Sequence, residues 1–108
     1  AEVLVLAGGW IEGMYLTTQS VGTLSTVTGK VALYHALTDQ GKYLDKLLTL
    51  MDAINDSPYC RSISTSLRDI RAALNTIKDP SSVSDETIKN LAGKVNSLRI
   101  QVVKGGTA

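Results

Sequence analysis

The stretch PYCRSISTSLRDIRAALNTIK, Pro58 to Lys78, decides the fold, because Ile63, Leu67, Ile70, Leu74 and Ile77 recur at steps of four, three, four and three. That spacing gathers the large aliphatic side chains on one helical face. Asp56 or Ser57 supplies the N-cap, Pro58 suits the first helical position, and Asp79-Pro80 is the stop, since a residue before proline is driven out of the α region. The spacing predicts a helix over about 58–78.

The segment that follows repeats the pattern with Ile88, Leu91, Val95, Leu98 and Val102. Ser84 and Thr87 precede its first apolar residue, and Asp85 and Glu86 suit the positive end of a helix dipole. Gly105 and Gly106 are expected to end it, giving a helix near 84–103. The linker Pro80-Ser81-Ser82-Val83 is short, so the two helices are expected to run antiparallel as neighbours.

Upstream, Lys30 to Asn55 carries Tyr34, Leu37, Leu44, Leu48 and Met51 along one face, widened by Leu33, Leu47, Leu50 and Ile54. Gly41 occupies the missing core position between Leu37 and Leu44. Because the register holds on both sides, the reading is one helix near 30–55 with a glycine where a neighbour comes close. Two shorter helices broken at Asp39-Gln40-Gly41 are the alternative.

The first segment is apolar on more than one side. Val3, Leu4, Val5, Leu6, Trp10, Ile11, Met14, Tyr15 and Leu16 cannot share a stripe, which marks a buried helix at the centre of the bundle. Val3 to Leu6 also has strand propensity, but no other segment offers a partner strand. Val21, Leu24 and Val27 keep three-residue spacing through a Ser/Thr-rich run, which extends this helix to about Thr26, with Gly29 closing it. The fold class is therefore all-α, an antiparallel bundle of about four helices in a single domain over residues 1–108.

Composition sets the outer bounds. Apolar residues make up 44% and charged residues 19% of the 108, values of a chain that folds. Eleven Lys and Arg oppose ten Asp and Glu, and a net charge of +1 provides no field for nucleic acid. The longest apolar run, Val3 to Leu16, is interrupted by Gly8, Gly9, Glu12 and Gly13 and falls short of the roughly 20 residues of a spanning helix. Cys60 is the only cysteine, so no intrachain disulfide is available. The chain opens at Ala1 and passes through Glu2 straight into an apolar run, as a piece of a longer protein would.

Candidate functional residues concentrate in the first helix. Gly9 and Gly13, four apart, strip side chains from a strip of its surface at a cost of about 1 kcal/mol each relative to alanine. Tight helix packing is one use of that strip, and a groove for a ligand or partner helix is the other. Glu12 stands in the most apolar stretch and, if buried, needs a partner; a salt bridge or plain exposure outweighs general acid chemistry, since no second carboxylate lies one or two turns away. Trp10, Met14, Tyr15 and Tyr34, oriented by Glu12, are the residues that would line a pocket between helices.

Other chemistries lack their parts. His35 is the only histidine, with Asp39 one turn on, and reads as a surface pair. No HExxH, second histidine or cysteine pair supports a metal, so no metal and no cofactor are expected. Cys60 follows Pro58-Tyr59 with no glycine-shaped oxyanion loop nearby. Arg61, Arg68, Arg71 and Lys78, offset by Asp69, read as a solvated face.

The run LAGGWIEGMYLTTQ, Leu6 to Gln19, and the segment YLDKLLTLMDAI, Tyr43 to Ile54, resemble a family of uncharacterised predicted lipoproteins from Bacteroidetes. The resemblance rests mainly on GGWIEG, Gly8 to Gly13, and covers about the C-terminal half of such proteins. It implies a helical fold and a chain tethered by an N-terminal lipid to the bacterial envelope; it brings no catalytic residues. The apolar run Val31-Ala32-Leu33 departs from the family's charged middle helix.

The functional expectation is a non-enzymatic interaction or scaffold domain whose partner is protein: a missing N-terminal half, another chain, or a second copy. Its motive is a first helix too broadly apolar for its neighbours to cover. The alternative is a bundle that binds a small apolar ligand.

Overall fold

The computed structural model describes residues 2–19, 26–53 and 57–107. Among them are four α-helices, α1 (Glu2–Thr18), α2 (Val27–Ala53), α3 (Pro58–Asn75) and α4 (Asp85–Thr107), with a single 3-10 turn, Pro80–Ser82, ahead of α4. No strand occurs among the described residues, and Val3 to Leu6 lie within α1.

The helices form a ring in which α1 packs on α2 and α4, and α3 packs on the same two. Ion pairs fix the directions. Arg71 meets Asp45 and Arg68 meets Asp52, so α2 and α3 run antiparallel. Lys94 meets Asp69 while the Tyr59 hydroxyl donates to the Val102 carbonyl, so α3 and α4 do too. The all-α antiparallel bundle read from the spacing is the observed fold.

The core is built from the stripes. Ile63, Leu67, Ile70 and Leu74 of α3, Ile88, Leu91, Val95 and Leu98 of α4, and Leu33, Leu37, Leu44, Leu47, Leu48 and Met51 of α2 are all buried. Each aliphatic side chain so placed stabilises the fold by about 1.5–3 kcal/mol through removal of apolar surface from water. Ile77 and Val102, at the ends of their stripes, pack against this core half-buried.

The helix ends show which local signals won. Ser57 caps α3, its hydroxyl accepting from the Cys60 N–H at 3.1 Å, with Pro58 in the first turn. That helix stops at Asn75, three residues short of expectation. Thr76 tightens the last turn, its N–H and hydroxyl both donating to the Ala73 carbonyl at 3.2 and 2.7 Å. Asp79 then caps the 3-10 turn, accepting from the Ser82 N–H and from the Ser81 hydroxyl. The Ser81 hydrogen bond holds the Asp79 carboxyl below its ordinary pKa.

Ser84 caps α4, accepting from the Thr87 N–H at 3.2 Å. Val83, part of the expected linker, is fully buried. It precedes the cap, and Ile88 in the first turn is equally buried; these are the two positions of a hydrophobic staple.

α2 is continuous through Gly41. Four further expectations are corrected. The first helix, expected to reach about Thr26, ends at Thr18, where the Thr18 hydroxyl and the Gln19 N–H both satisfy the Tyr15 carbonyl; the Val21 and Leu24 part of that expectation lies outside the described residues. Gly29 does not close α1: it sits in the first turn of α2, donating to the Thr26 hydroxyl at 2.9 Å, so Thr26 acts as that helix's N-cap. Gly105 and Gly106 do not end α4, which runs to Thr107. No described glycine takes a positive φ, so the left-handed freedom that makes glycine a helix stop is not used. Finally, α1 is not central. It is one side of the ring, with part of its apolar surface facing out.

Candidate functional site

One face of α1 carries Ala7, Trp10, Ile11, Met14 and Thr18, and all five are buried. Steps of three, one, three and four keep them on a single stripe facing the core. Among the described side chains of α1, three large aliphatic ones turn away from that stripe. Val5, Leu6 and Leu16 are 75%, 43% and 66% exposed, and Val5, Gly9, Glu12 and Leu16 follow one another at steps of four, three and four along the outer face.

Between this face and α2 lies an open groove of about 330 Å³ lined by Val5, Leu6, Gly9, Trp10, Gly13, Gln40 and Tyr43. The Trp10 indole N–H donates to the Gln40 carbonyl at 3.1 Å, which fixes the ring along α2 as the groove's floor. The glycines keep the groove clear, and they do so without drawing a neighbouring backbone in. A Cβ at Gly9 would meet nothing within 4 Å, and one at Gly13 would reach only the Gln40 amide nitrogen at 4.0 Å. Tight helix packing as the use of Gly9 and Gly13 is therefore overturned.

Glu12 is exposed, and its carboxylate accepts from Arg99 Nε of α4 at 2.9 Å. The Arg99 guanidinium also lies 3.8 Å from the centre of the Tyr15 ring, a cation–π contact. The hydrogen bond to Glu12 raises the Arg99 pKa further above its already high value. Glu12 and Tyr15 thus form a clasp between α1 and α4.

The sequence-selected pocket residues do not converge. Trp10 floors the α1/α2 groove, Met14 is sealed in the core, and Tyr15 and Glu12 face α4. Tyr34 lies elsewhere, its hydroxyl donating to the Lys78 carbonyl at 3.1 Å and its ring edge-on to His35 at 5.5 Å between centres. Exposed His35 has that ring as its neighbour, and no hydrogen bond joins it to Asp39 among the described residues. Cys60 is a free, half-buried thiol in the first turn of α3. The described residues include no group of three or more His, Cys, Asp or Glu side chains arranged to hold a metal. No helix among them is long and apolar enough to cross a membrane.

A second concavity escaped the sequence reading. Tyr34, Leu37, Thr38, Lys42, Arg71, Leu74, Asn75, Ile77 and Lys78 line a groove of about 270 Å³ between α2 and α3. Arg71 grips Asp45 with both Nε, at 2.7 Å, and Nη2, at 3.1 Å. Its Nη1 lies 2.6 Å from where a Cβ of Gly41 would stand. Gly41 is thus the close approach the interrupted stripe suggested, though the neighbour is a guanidinium. The basic row on α3 is only partly a solvated face: Arg68 and Arg71 pair with acids of α2, and Asp69 pairs with Lys94.

Compared with protein-family models, curated proteins and solved structures, the chain shows no match.

Proposed function

We propose that this chain is a non-enzymatic interaction module that receives an apolar helical segment of a partner protein along the outer face of α1. The observation that carries this reading is the exposure of Val5, Leu6 and Leu16 beside a groove kept open by Gly9 and Gly13. An apolar strip of this kind, bordered by a cleft that a ridge of side chains can enter, is what helix-in-groove recognition uses. The partner is a protein chain: the N-terminal half of a longer product, a second protein, or another copy. The resemblance of Leu6–Gln19 and Tyr43–Ile54 to Bacteroidetes lipoproteins supports a place on the bacterial envelope, with a lipid anchor on a preceding segment.

The test combines light scattering with uptake of the neutral dye Nile red. The wild-type chain should self-associate or bind the dye, and a Val5→Gln, Leu16→Gln double variant should do neither. A chain that stays monomeric and leaves the dye in water would end this reading.

A further inference from the structure

The groove between α2 and α3 differs in chemistry from the α1 face, and its role is independent of the docking proposed for α1. Its floor is apolar: Leu37 and Leu74 are buried and Ile77 is half-buried. Its rim is cationic. Lys42, Lys78 and Arg71 line it, and no acidic side chain does. Of the three, only Arg71 has a carboxylate partner, Asp45; Lys42 and Lys78 form no ion pair among the described residues.

Two features fix this rim in place. The Tyr34 hydroxyl bonds the Lys78 carbonyl, which ties the chain beyond α3 to α2. The Asp45 fork holds Arg71 by Nε and Nη2 and leaves Nη1, lying over Gly41, without a hydrogen bond among the described residues. A guanidinium so anchored offers its remaining N–H groups without first losing rotamer freedom. Gly41 is required for that placement, because any side chain there would push Nη1 away.

We propose that this groove binds a small anion with an apolar body, a carboxylate or phosphate monoester. The apolar part lies on Leu37, Leu74 and Ile77, and the charged head sits between Lys42, Lys78 and Arg71 Nη1. The cavity volume is just below the roughly 300–1,000 Å³ of most small-molecule sites, which fits a compact ligand. Both halves of the ligand are needed: the floor gains nothing from a bare ion, and the rim gains nothing from a neutral ring.

Phenyl phosphate, hexanoate, inorganic phosphate and phenol are titrated into the isotope-labelled chain while its amide resonances are followed. Phenyl phosphate or hexanoate should give saturable shifts centred on Leu37, Lys42, Arg71, Leu74 and Lys78. Inorganic phosphate and phenol should bind at least tenfold more weakly. A Lys42→Gln, Lys78→Gln variant, altered only at exposed positions, should lose at least tenfold in affinity for the amphiphilic anions. Gly41→Ala, which displaces Arg71 without changing charge, should weaken binding several-fold. The proposal is overturned if neither amphiphilic anion saturates these residues, if the shifts centre on another surface, if phenol or inorganic phosphate binds as well, or if the double-lysine variant binds unchanged.

Discussion

Helices α1 and α3 are 17 and 18 residues long and dispose of their apolar side chains in opposite ways. α3 has few large aliphatic residues, each at the one angle that meets α2 and α4, and from Ile63 to Leu74 all are buried. α1 has more than a core stripe can take. A helix in a ring of four has two neighbours and one inner face, so an apolar residue on the far side stays in water whatever its hydropathy. Abundance of apolar residues marks α1 as unusual, while only their angular distribution says which of them hold the fold together.

Truncating the stripe of α3 should therefore have the largest effect. Ile70 is 1% exposed between its neighbours, and Ile70→Ala should lower unfolding free energy by about 2–5 kcal/mol through lost burial and the cavity left behind. A urea titration reads this as a fall in midpoint at constant slope. A loss under about 1 kcal/mol, where an Ile-to-Ala change in a sealed core costs more, would mean that α3 is not the sealed side of the bundle.

The glycines of α1 and α2 sharpen the contrast through the sign of a change. A methyl group at Gly9 meets nothing, so Gly9→Ala should stabilise the chain by up to about 1 kcal/mol, the helix-propensity difference. At Gly41 the same gain is opposed by displacement of Arg71 from its seat over the backbone, and Gly41→Ala should come out smaller or negative. Equal stabilisation at both sites would show that the guanidinium moves freely. Destabilisation at Gly9 would restore the tight packing that the open groove argues against.

Much of the bundle was legible because the cause of each helix is local. The Ile63 to Leu74 stripe, the Ser57-Pro58 start, the Ser84 cap and the continuity of α2 through Gly41 each depend on neighbours within a few residues. What could not be read depends on residues far apart in the chain. Arg71 reaching Asp45 and Gly41, Tyr34 reaching the Lys78 carbonyl, and Arg99 covering Tyr15 are contacts between helices that no spacing rule encodes. The candidate site was therefore half visible. Gly9, Trp10 and Gly13 mark one groove from within a single helix, whereas the pocket imagined from Trp10, Met14, Tyr15 and Tyr34 joined residues that lie in four different places. Val83 carried a usable signal, an aliphatic residue directly before a serine cap, but it looked like linker because its partner Ile88 lies on the far side of that cap.

The smallest expected effect on stability belongs to the outer face of α1. Leu16 is as apolar as Leu74, yet two-thirds of it is in water. Leu16→Gln removes little buried surface and leaves no unsatisfied polar group, because the new amide is solvated. Its unfolding free energy should stay within about 0.5 kcal/mol of wild type, while self-association or Nile red uptake falls. That combination separates the two helices cleanly: side chains whose removal unfolds the chain hold the bundle, and side chains whose removal leaves it folded but solitary serve something outside it. If Leu16→Gln instead costs as much as Ile70→Ala, the outer face of α1 is part of a core that forms only in an assembly, and the folded unit is the oligomer.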